Sequence, residues 1–362
     1  LSGNYNQAQY YLASFADQVL LNPMGTVDLQ GFGTWQVYFN SALDTLGVNA
    51  HVFRVGTYKA AVEPYERDDM STDARQNYGE LFGDLWDLYL RDVSERRNLP
   101  QNALSELIET WDDTLARYDG DSAALALGEG LVDRTGSQSV NIRYINDATA
   151  GAGEELPQVN FTRYLRTIRH NQEDSTGAGQ IGLIVASGEI QDGEAPRGSI
   201  GGQTLSGLIR EATENADLAA LVLRINSPGG SAFASEVIRG ELEAFKATNR
   251  PLLVSMGSVA ASGGYWIATP ADEIWATPGT ITGSIGIYGV LPTFEETFRK
   301  LGLTLDGIGT TSLSGTGAVG KALTPLAERS LQLTVESGYR RFLTLVSEAR
   351  DMPVAAVDNV AQ

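Results

Sequence analysis

The sequence predicts an α/β chain, folded as two copies of one domain in tandem. Three observations lead there. From Gln180 onward, strand-like and helix-like segments alternate, which argues for a parallel sheet flanked by helices. Two apolar strands end in turns made of glycine and other small residues. Residues of the first half also recur at a constant offset in the second: Tyr10, Asp17 and Pro23 return as Tyr265, Asp272 and Pro278 (265 − 10 = 255).

In order, residues 8–17 read as a helix and Gln18–Asn22 as a short strand closed by Pro23. Apolar spacing predicts a helix over 35–46, and His51–Val55 a strand. A long amphipathic helix is expected from Ser71, its N-cap, to Arg97, with Asn98 and Pro100 as the stop. Residues 101–130 continue as helix and turn. Residues 145–180, rich in Gly, Ala, Thr and Asp, read as a connector. They carry a basic patch, Arg163, Arg166, Arg169 and His170, which is either a solvated helix face or a contact for anionic lipid. The second half then reads strand (Ile181–Ile190), helix (Thr204–Asn215), strand (Ala219–Ile225), helix (Ser231–Thr248) and strand (Pro251–Met256).

The repeat sets the expected domains: residues 1–144, a connector at 145–179, and residues 180–362. Leu46-Gly47 matches Leu301-Gly302 at the same offset, and Ser94-Glu95 matches Ser347-Glu348 after a slip of two (347 − 94 = 253). Gln180–Ser255, 76 residues (255 − 180 + 1), stand upstream of the position matching Leu1. The first copy is therefore expected to lack its opening strands, and the second its tail.

The 362 residues can build two cores. With no cysteine there is no disulfide or thiolate chemistry. A formal charge of −19 argues against nucleic-acid binding, which needs basic surfaces. No run of 18 apolar residues suggests a membrane span. Metal-ligand and phosphate-loop patterns are both missing, so no cofactor and no metal are expected.

Two stretches carry chemistry. Val254–Ala268 runs an apolar strand into small residues and then a helix, with Ser262 where the helix begins. Unpaired N–H groups there can stabilise an anionic oxygen. On the residues alone, Ser262 is equally an N-cap. The other stretch, Leu221–Ser231, is a buried-looking strand ending in Ser227-Pro228-Gly229-Gly230, whose glycines let backbone amides face a ligand.

Asn-Ser-Pro-Gly-Gly followed by Ala-Ser-Gly-Gly resembles the Clp-protease and crotonase-like fold, and more closely the signal peptide peptidase A (protease IV) family. The resemblance covers both copies. It implies Ser262 as nucleophile and the amides of Gly230 and Gly263 as oxyanion hole. Tyr58-Lys59-Ala60-Ala61-Val62-Glu63-Pro64 is similar to the general-base motif of the long form of that family, with Lys59 on its lysine. Ser284, in Thr282-Gly283-Ser284-Ile285-Gly286, matches a serine that orients the lysine there; by itself it is equally a turn serine. The family further implies peptide substrates, chiefly cleaved signal peptides, and a homotetramer. It also implies an anchor, outside this chain, in the bacterial inner membrane, with the catalytic part facing the periplasm.

The residues give this a logic. The first-copy equivalent of Ser262 is Gln7 (262 − 255 = 7), which cannot be a nucleophile. The second-copy segment matching Lys59 has no lysine between Lys300 and Lys321. One copy thus offers a base and the other a nucleophile. Lys59 is one of only four lysines and is flanked by Tyr58, Ala60, Ala61 and Val62. Read alone it is also an ordinary surface lysine. Neither His51 nor His170 lies in a motif with Ser262, so a Ser-His-Asp triad has little support. A lysine serves as base if burial lowers its pKa. Two other classes stay open: a crotonase-like acyl-CoA enzyme, and a non-catalytic membrane-associated scaffold.

Overall fold

The computed structural model describes residues 1–100, 102–149, 159–171 and 179–361. The chain begins with α1 (Gln7–Ala13), β1 (Leu20–Leu21), α2 (Asn40–Leu46) and β2 (Asn49–Val55). A 3-10 turn at Ala60–Val62 leads to α3 (Glu63–Glu66) and the long α4 (Thr72–Arg97). Next come α5 (Ala103–Glu109), α6 (Trp111–Arg117), α7 (Ser122–Gly128), β3 (Arg134–Thr135), α8 (Gln138–Thr149) and α9 (Phe161–Asn171). The strand-rich part has β4 (Gln180–Ser187), β5 (Glu189–Gln191), β6 (Ser199–Gly201), α10 (Gly202–Glu214), β7 (Leu218–Ser227) and α11 (Ala232–Lys246). It continues with β8 (Leu252–Ala261), α12 (Gly263–Trp266), β9 (Glu273–Trp275), β10 (Ile281–Gly283) and β11 (Ile287–Thr293). The last elements are α13 (Glu295–Lys300), α14 (Pro325–Arg350) and α15 (Val354–Ala361). The chain is α/β, as its alternation predicts.

It divides into two compact units. The first joins Leu1–Thr34 to Tyr78–Ser175, and the second joins Trp35–Asn77 to Thr176–Gln362. In the first, α1 and the latter part of α4 pack with α5 and α7 around Tyr10, Leu21, Val93, Leu104, Leu125 and Leu131. The buried Tyr10 hydroxyl donates to the Leu131 carbonyl at 2.7 Å, so its polar tip is satisfied. Arg97 pairs with Asp133 at 2.8 Å, tying the end of α4 to the residue before β3.

The second unit is built on a five-stranded parallel sheet of order β10-β8-β7-β4, with β9 also beside β8. Alternate residues of the central strands point one way: Leu221, Leu223 and Ile225 from β7, and Leu252, Val254 and Met256 from β8. They meet Leu205 and Ile209 of α10 and Ile238, Leu242 and Phe245 of α11. A second cluster joins Trp266 and Ile285 to Tyr339, Phe342 and Val346 of α14 and Val357 of α15.

The repeat is visible in the elements. α4 and α14 are each 26 residues long and start 253 apart (325 − 72). α2 and α13 follow Phe39 and Phe294 with nearly the same backbone (φ −135° and −125°). Each is followed by a left-handed glycine, Gly47 directly after α2 at φ 73° and Gly302 one residue past the Leu301 cap of α13 at φ 71°.

Some expected elements differ. The strand through Met256 continues to Ala261, because β10 supplies hydrogen-bond partners to Val259–Ala261 that the sequence does not reveal. The strand expected at 181–190 breaks at Gly188, whose φ is +106° and where a Cβ would stand 2.0 Å from the Gly198 carbonyl. The helix expected from residue 35 begins only at Asn40; Trp35, Val37 and Phe39 alternate with a period of two, which suits a strand better than a helix. Of the expected connector, residues 150–158 and 172–178 lie outside the described residues, as do the side chains of Arg169 and His170.

Candidate active site

The site lies within the second unit, where β8 ends. Ser262 follows its last residue and N-caps α12 with φ 52° and ψ −119°, a conformation few non-glycine residues adopt. The backbone is held there from both sides. Ser262 N–H donates to the Gly283 carbonyl at 2.8 Å, and its own carbonyl accepts from the N–H groups of Tyr265 and Trp266, both at 2.9 Å. The neighbouring turn requires glycine: a Cβ on Gly229 (φ +103°) would fall 2.8 Å from Ser262 Cβ and 2.7 Å from Gly263 N. The small residues seen in the sequence are therefore what let the two turns abut.

Lys59 arrives from far away in sequence. β2 pairs antiparallel with β11, Val55 opposite Ile287, and this carries the chain after Val55 past Ser284–Gly286. At Gly286 a Cβ would stand 3.1 Å from Lys59 Cδ, so the lysine stem lies against bare backbone. Lys59 Nζ is 3.2 Å from Ser262 Oγ, 2.9 Å from the Ser284 carbonyl and 3.1 Å from Ser284 Oγ. Burial disfavours its ammonium form and lowers its pKa from 10.5 to about 8. The amine is thus poised to exchange a proton near neutral pH. Ser284 also has a left-handed backbone, φ 49°, and it presents two acceptors to one nitrogen.

Gly230 and Gly263 also come together. A Cβ built on Gly263 would lie 3.3 Å from the Gly230 nitrogen. A parallel bridge holds Gly230 beside Ile190 through Ile190 N to Gly229 O and Ser231 N to Ile190 O, both 2.8 Å. That pattern uses the neighbours of the Gly230 N–H, and the N–H itself has no acceptor among the described residues. The Gly263 N–H is at the first position of α12, where no intrahelical acceptor exists.

The geometry therefore gathers all five sequence candidates: Ser262, Lys59, Ser284, Gly230 and Gly263. His51 is committed elsewhere, 3.2 Å from Glu328 and 3.0 Å from Thr293 Oγ1. In the first copy, the Gln7 amide accepts from the N–H groups of Gln30 (3.0 Å) and Gly31 (2.8 Å) and donates to the Gly31 carbonyl (3.2 Å). The side chain at the equivalent of Ser262 thus pins a loop. No group of three or more His, Cys, Asp or Glu residues able to hold a metal occurs among the described residues.

Two supporting carboxylates escaped the sequence reading. Glu63 is 2% exposed and accepts the Ser71 N–H at 3.1 Å, which ties the lysine segment to the start of α4. Glu236 of α11 accepts from Trp266 Nε1 (2.8 Å), Arg239 Nε (2.7 Å) and Arg341 (3.0 Å). Burial alone would raise its pKa, but these hydrogen bonds outweigh it and hold the carboxyl at about 2. Trp266 stands four residues after Ser262, so Glu236 steadies the short helix that Ser262 caps. Glu63 stood in the quoted motif, yet only its burial marks it. For Glu236 the sequence shows only the i,i+3 pair with Arg239; Trp266 and Arg341, which tie it to α12 and α14, lie 30 and 105 residues away.

The comparisons with known proteins concern the whole chain. Peptidase family S49 matches over residues 1–148 and 244–362. The chain is 44% identical over 359 residues to Protease 4 of Salmonella typhi, covering 99% of this chain and 57% of that protein. It is 41% identical over 361 residues to Protease 4 of Haemophilus influenzae, covering 99% and 58%. The chloroplastic serine protease SPPA of Arabidopsis thaliana is 25% identical over 370 residues, covering 98% and 52%. Among solved structures, ClpP1 from Listeria monocytogenes aligns at 13% identity with a TM-score of 0.29, covering 56% of this chain and 84% of that one. The chain spans little more than half the length of the curated relatives it matches.

Proposed function

We propose that this chain, which belongs to peptidase family S49, is the part of a serine peptidase that carries a Ser-Lys dyad. Ser262 attacks the peptide carbonyl. Neutral Lys59 takes the hydroxyl proton and later gives it to the leaving amine. Ser284 holds the amine toward Ser262. The N–H groups of Gly230 and Gly263 receive the oxyanion. The observation that carries this reading is the approach of Lys59 Nζ to 3.2 Å from Ser262 Oγ, with the lysine pKa lowered to about 8. That separation is at the edge of proton-transfer reach, about 2.6–3.2 Å, which is where an unliganded site is expected to rest.

The proposed substrates are cleaved signal peptides and other unfolded apolar segments. The proposed setting is the periplasmic side of a bacterial inner membrane, with an anchor outside this chain and a homotetrameric assembly. No helix among the described residues is long and apolar enough to cross a membrane.

The test is labelling by a serine-directed fluorophosphonate, with peptide hydrolysis in parallel. The chain is expected to label at Ser262, while Ser262→Ala and Lys59→Ala each lose about 10³-fold or more in kcat and keep their circular dichroism. Hydrolysis surviving in folded Lys59→Ala would remove lysine from the mechanism.

A further inference from the structure

The N–H of Gly230 has to point in one direction, yet its own backbone does not fix it. Gly229 and Gly230 have φ of +103° and +144°, and two glycines in series resist rotation least of all residues. A donor aimed at a developing charge has to be held to within about 0.5 Å. The stiffness therefore comes from neighbours. On one side the buried Ser227 hydroxyl accepts the Gly229 N–H at 3.1 Å. On the other, Gly230 lies against Ile190: a Cβ there would stand 2.1 Å from the Ile190 carbonyl oxygen. Ile190 is itself 1% exposed and sits in the main apolar core.

β5 ends at Gln191, and the next residue is Asp192. Asp192 Oδ1 accepts from Ser231 Oγ at 2.5 Å, within the range of about 2.5–2.7 Å for a hydroxyl on a carboxylate. Ser231 follows Gly230 and N-caps α11, and its Oγ also accepts the Ala234 N–H at 3.1 Å. A hydroxyl has one proton to give. Asp192 takes it, which leaves the oxygen lone pairs turned to the helix. The carboxylate also lies by the N-terminus of α11, whose dipole favours negative charge there. The Ser231 carbonyl in turn accepts from Ser235 N (3.0 Å) and Ser235 Oγ (2.8 Å). Ser235 is fully buried, and a Cβ on Gly263 would come within 2.5 Å of its Oγ. One chain of contacts thus runs from Asp192 through Ser231 and Ser235 to the backbone of Gly263, and Ser231 is bonded in sequence to Gly230. The Lys59 amine is held by Ser262 and Ser284, outside this chain of contacts.

We propose that Asp192 is a positioning residue of the oxyanion hole, acting through Ser231. The inference rests on the peptidase reading and adds to it what aims the two N–H groups. Asp192 fixes the Ser231 side chain. Ser231 then restrains Gly230 from its C-terminal side, while Ser227 restrains Gly229 from the other, and through Ser235 it backs Gly263.

The test compares Asp192→Ala, Asp192→Asn and Ser231→Ala with the parent chain. The readouts are kcat and KM on a short peptide, the inhibition constant of a peptide aldehyde, and the pH profile. The aldehyde adds to Ser262 and places an oxyanion in the hole. Asp192→Ala is expected to lose about 10- to 100-fold in kcat, less than the removal of a whole donor, with KM within about twofold. Aldehyde affinity is expected to fall by the same factor as kcat/KM. The pH profile should keep its midpoint, because the lysine is held elsewhere. Asp192→Asn, which keeps an acceptor for Ser231, is expected to recover most of the loss. Adding Asp192→Ala to Ser231→Ala should cost nothing further, because the carboxylate acts through that hydroxyl. Asp192 is exposed, so its variants are expected to fold. Asp192→Glu, which carries the charge one methylene past the hydroxyl, is expected to show the same split between kcat and KM and serves if the alanine variant does not fold. An active parent whose variants keep kcat within about threefold, lose KM instead, or shift the pH profile would overturn the inference and leave the dyad standing. A folded parent that neither hydrolyses peptide nor reacts with fluorophosphonate would overturn the peptidase reading, and this inference with it.

Discussion

Lys59 gives the most quantitative prediction. Its pKa falls from 10.5 to about 8, because the amine is withdrawn from water among Val55, Gly286 and Ser284 and no carboxylate offsets the burial. The working form is the neutral amine. Its fraction is about one tenth at pH 7 and about one hundredth at pH 6 for a pKa near 8. With chemistry rate-limiting, kcat/KM should rise about tenfold from pH 6 to 7, then about fivefold to pH 8, and level off above about pH 9. The same shift acts on stability, with a definite sign. In the unfolded chain the lysine stays protonated to about pH 10.4, whereas in the folded chain it loses its proton near 8. Between these values the unfolded state binds more protons, so stability gains as pH rises. The full penalty, on the order of 3 kcal/mol before partial solvent access reduces it, is present below pH 8 and gone above about pH 10.5. Replacing the lysine by methionine removes that penalty while keeping most of the stem. The assay is urea unfolding of the wild type and Lys59→Met at pH 7, 9 and 10.5. The variant should be the more stable at pH 7, and its advantage should shrink steadily toward pH 10.5. A kcat/KM profile flat from pH 6 to 10, together with a stability difference independent of pH, would refute the claim that burial tunes this amine.

Ser284→Ala removes one of the two acceptors that aim Lys59, and kcat should fall about 10- to 100-fold with KM nearly unchanged, as steady-state kinetics on a short peptide would show. Glu236→Ala should loosen Trp266, seen as a shift in tryptophan emission and a loss of kcat, whereas Glu236→Gln, which keeps an acceptor for the indole, should lose less. With its pKa near 2, Glu236 stabilises the fold fully above its unfolded pKa of about 4.3, and the benefit disappears as pH falls toward 2; melting curves of the wild type and Glu236→Gln should therefore converge in acid. Because Lys59 and Ser262 meet within one chain, mixed oligomers of Ser262→Ala and Lys59→Ala chains should stay inactive; recovery well above either variant alone would place the dyad across two chains.

Much of the site was legible in the linear sequence, and the reason is local. A glycine turn after an apolar strand, and a serine at a strand-to-helix junction among Ala and Gly, are patterns set by backbone sterics over a few residues. Ser262 and Gly229 obey them, with positive φ values that small neighbours permit. The 255-residue offset was legible as well, and it survives in the paired left-handed glycines Gly47 and Gly302. What the sequence could state only through resemblance was the role of Lys59, since 203 residues separate it from Ser262.

Tertiary structure decided the rest. The sequence contains Lys59, but only the β2–β11 ladder brings it to Ser284 and Ser262, and only the burial that follows lowers its pKa. Strand pairing between distant segments depends on which partner offers free N–H and C=O groups, and no local pattern records that. The same limit explains β8, which runs on to Ala261 because β10 lies beside it. It explains the misread helix start as well. Trp35–Phe39 carries a strand's alternation, and Phe39 is held by its N–H to the Pro64 carbonyl (3.0 Å) and by its ring against Tyr65, contacts that start α2 only at Asn40. Glu236 and its partners on α11, α12 and α14 meet only after three helices have packed. The sequence by itself determined which residues could do chemistry and where the backbone had to bend. The folded chain decided which of them come within hydrogen-bonding reach, because that depends on distances and desolvation set by contacts hundreds of residues apart.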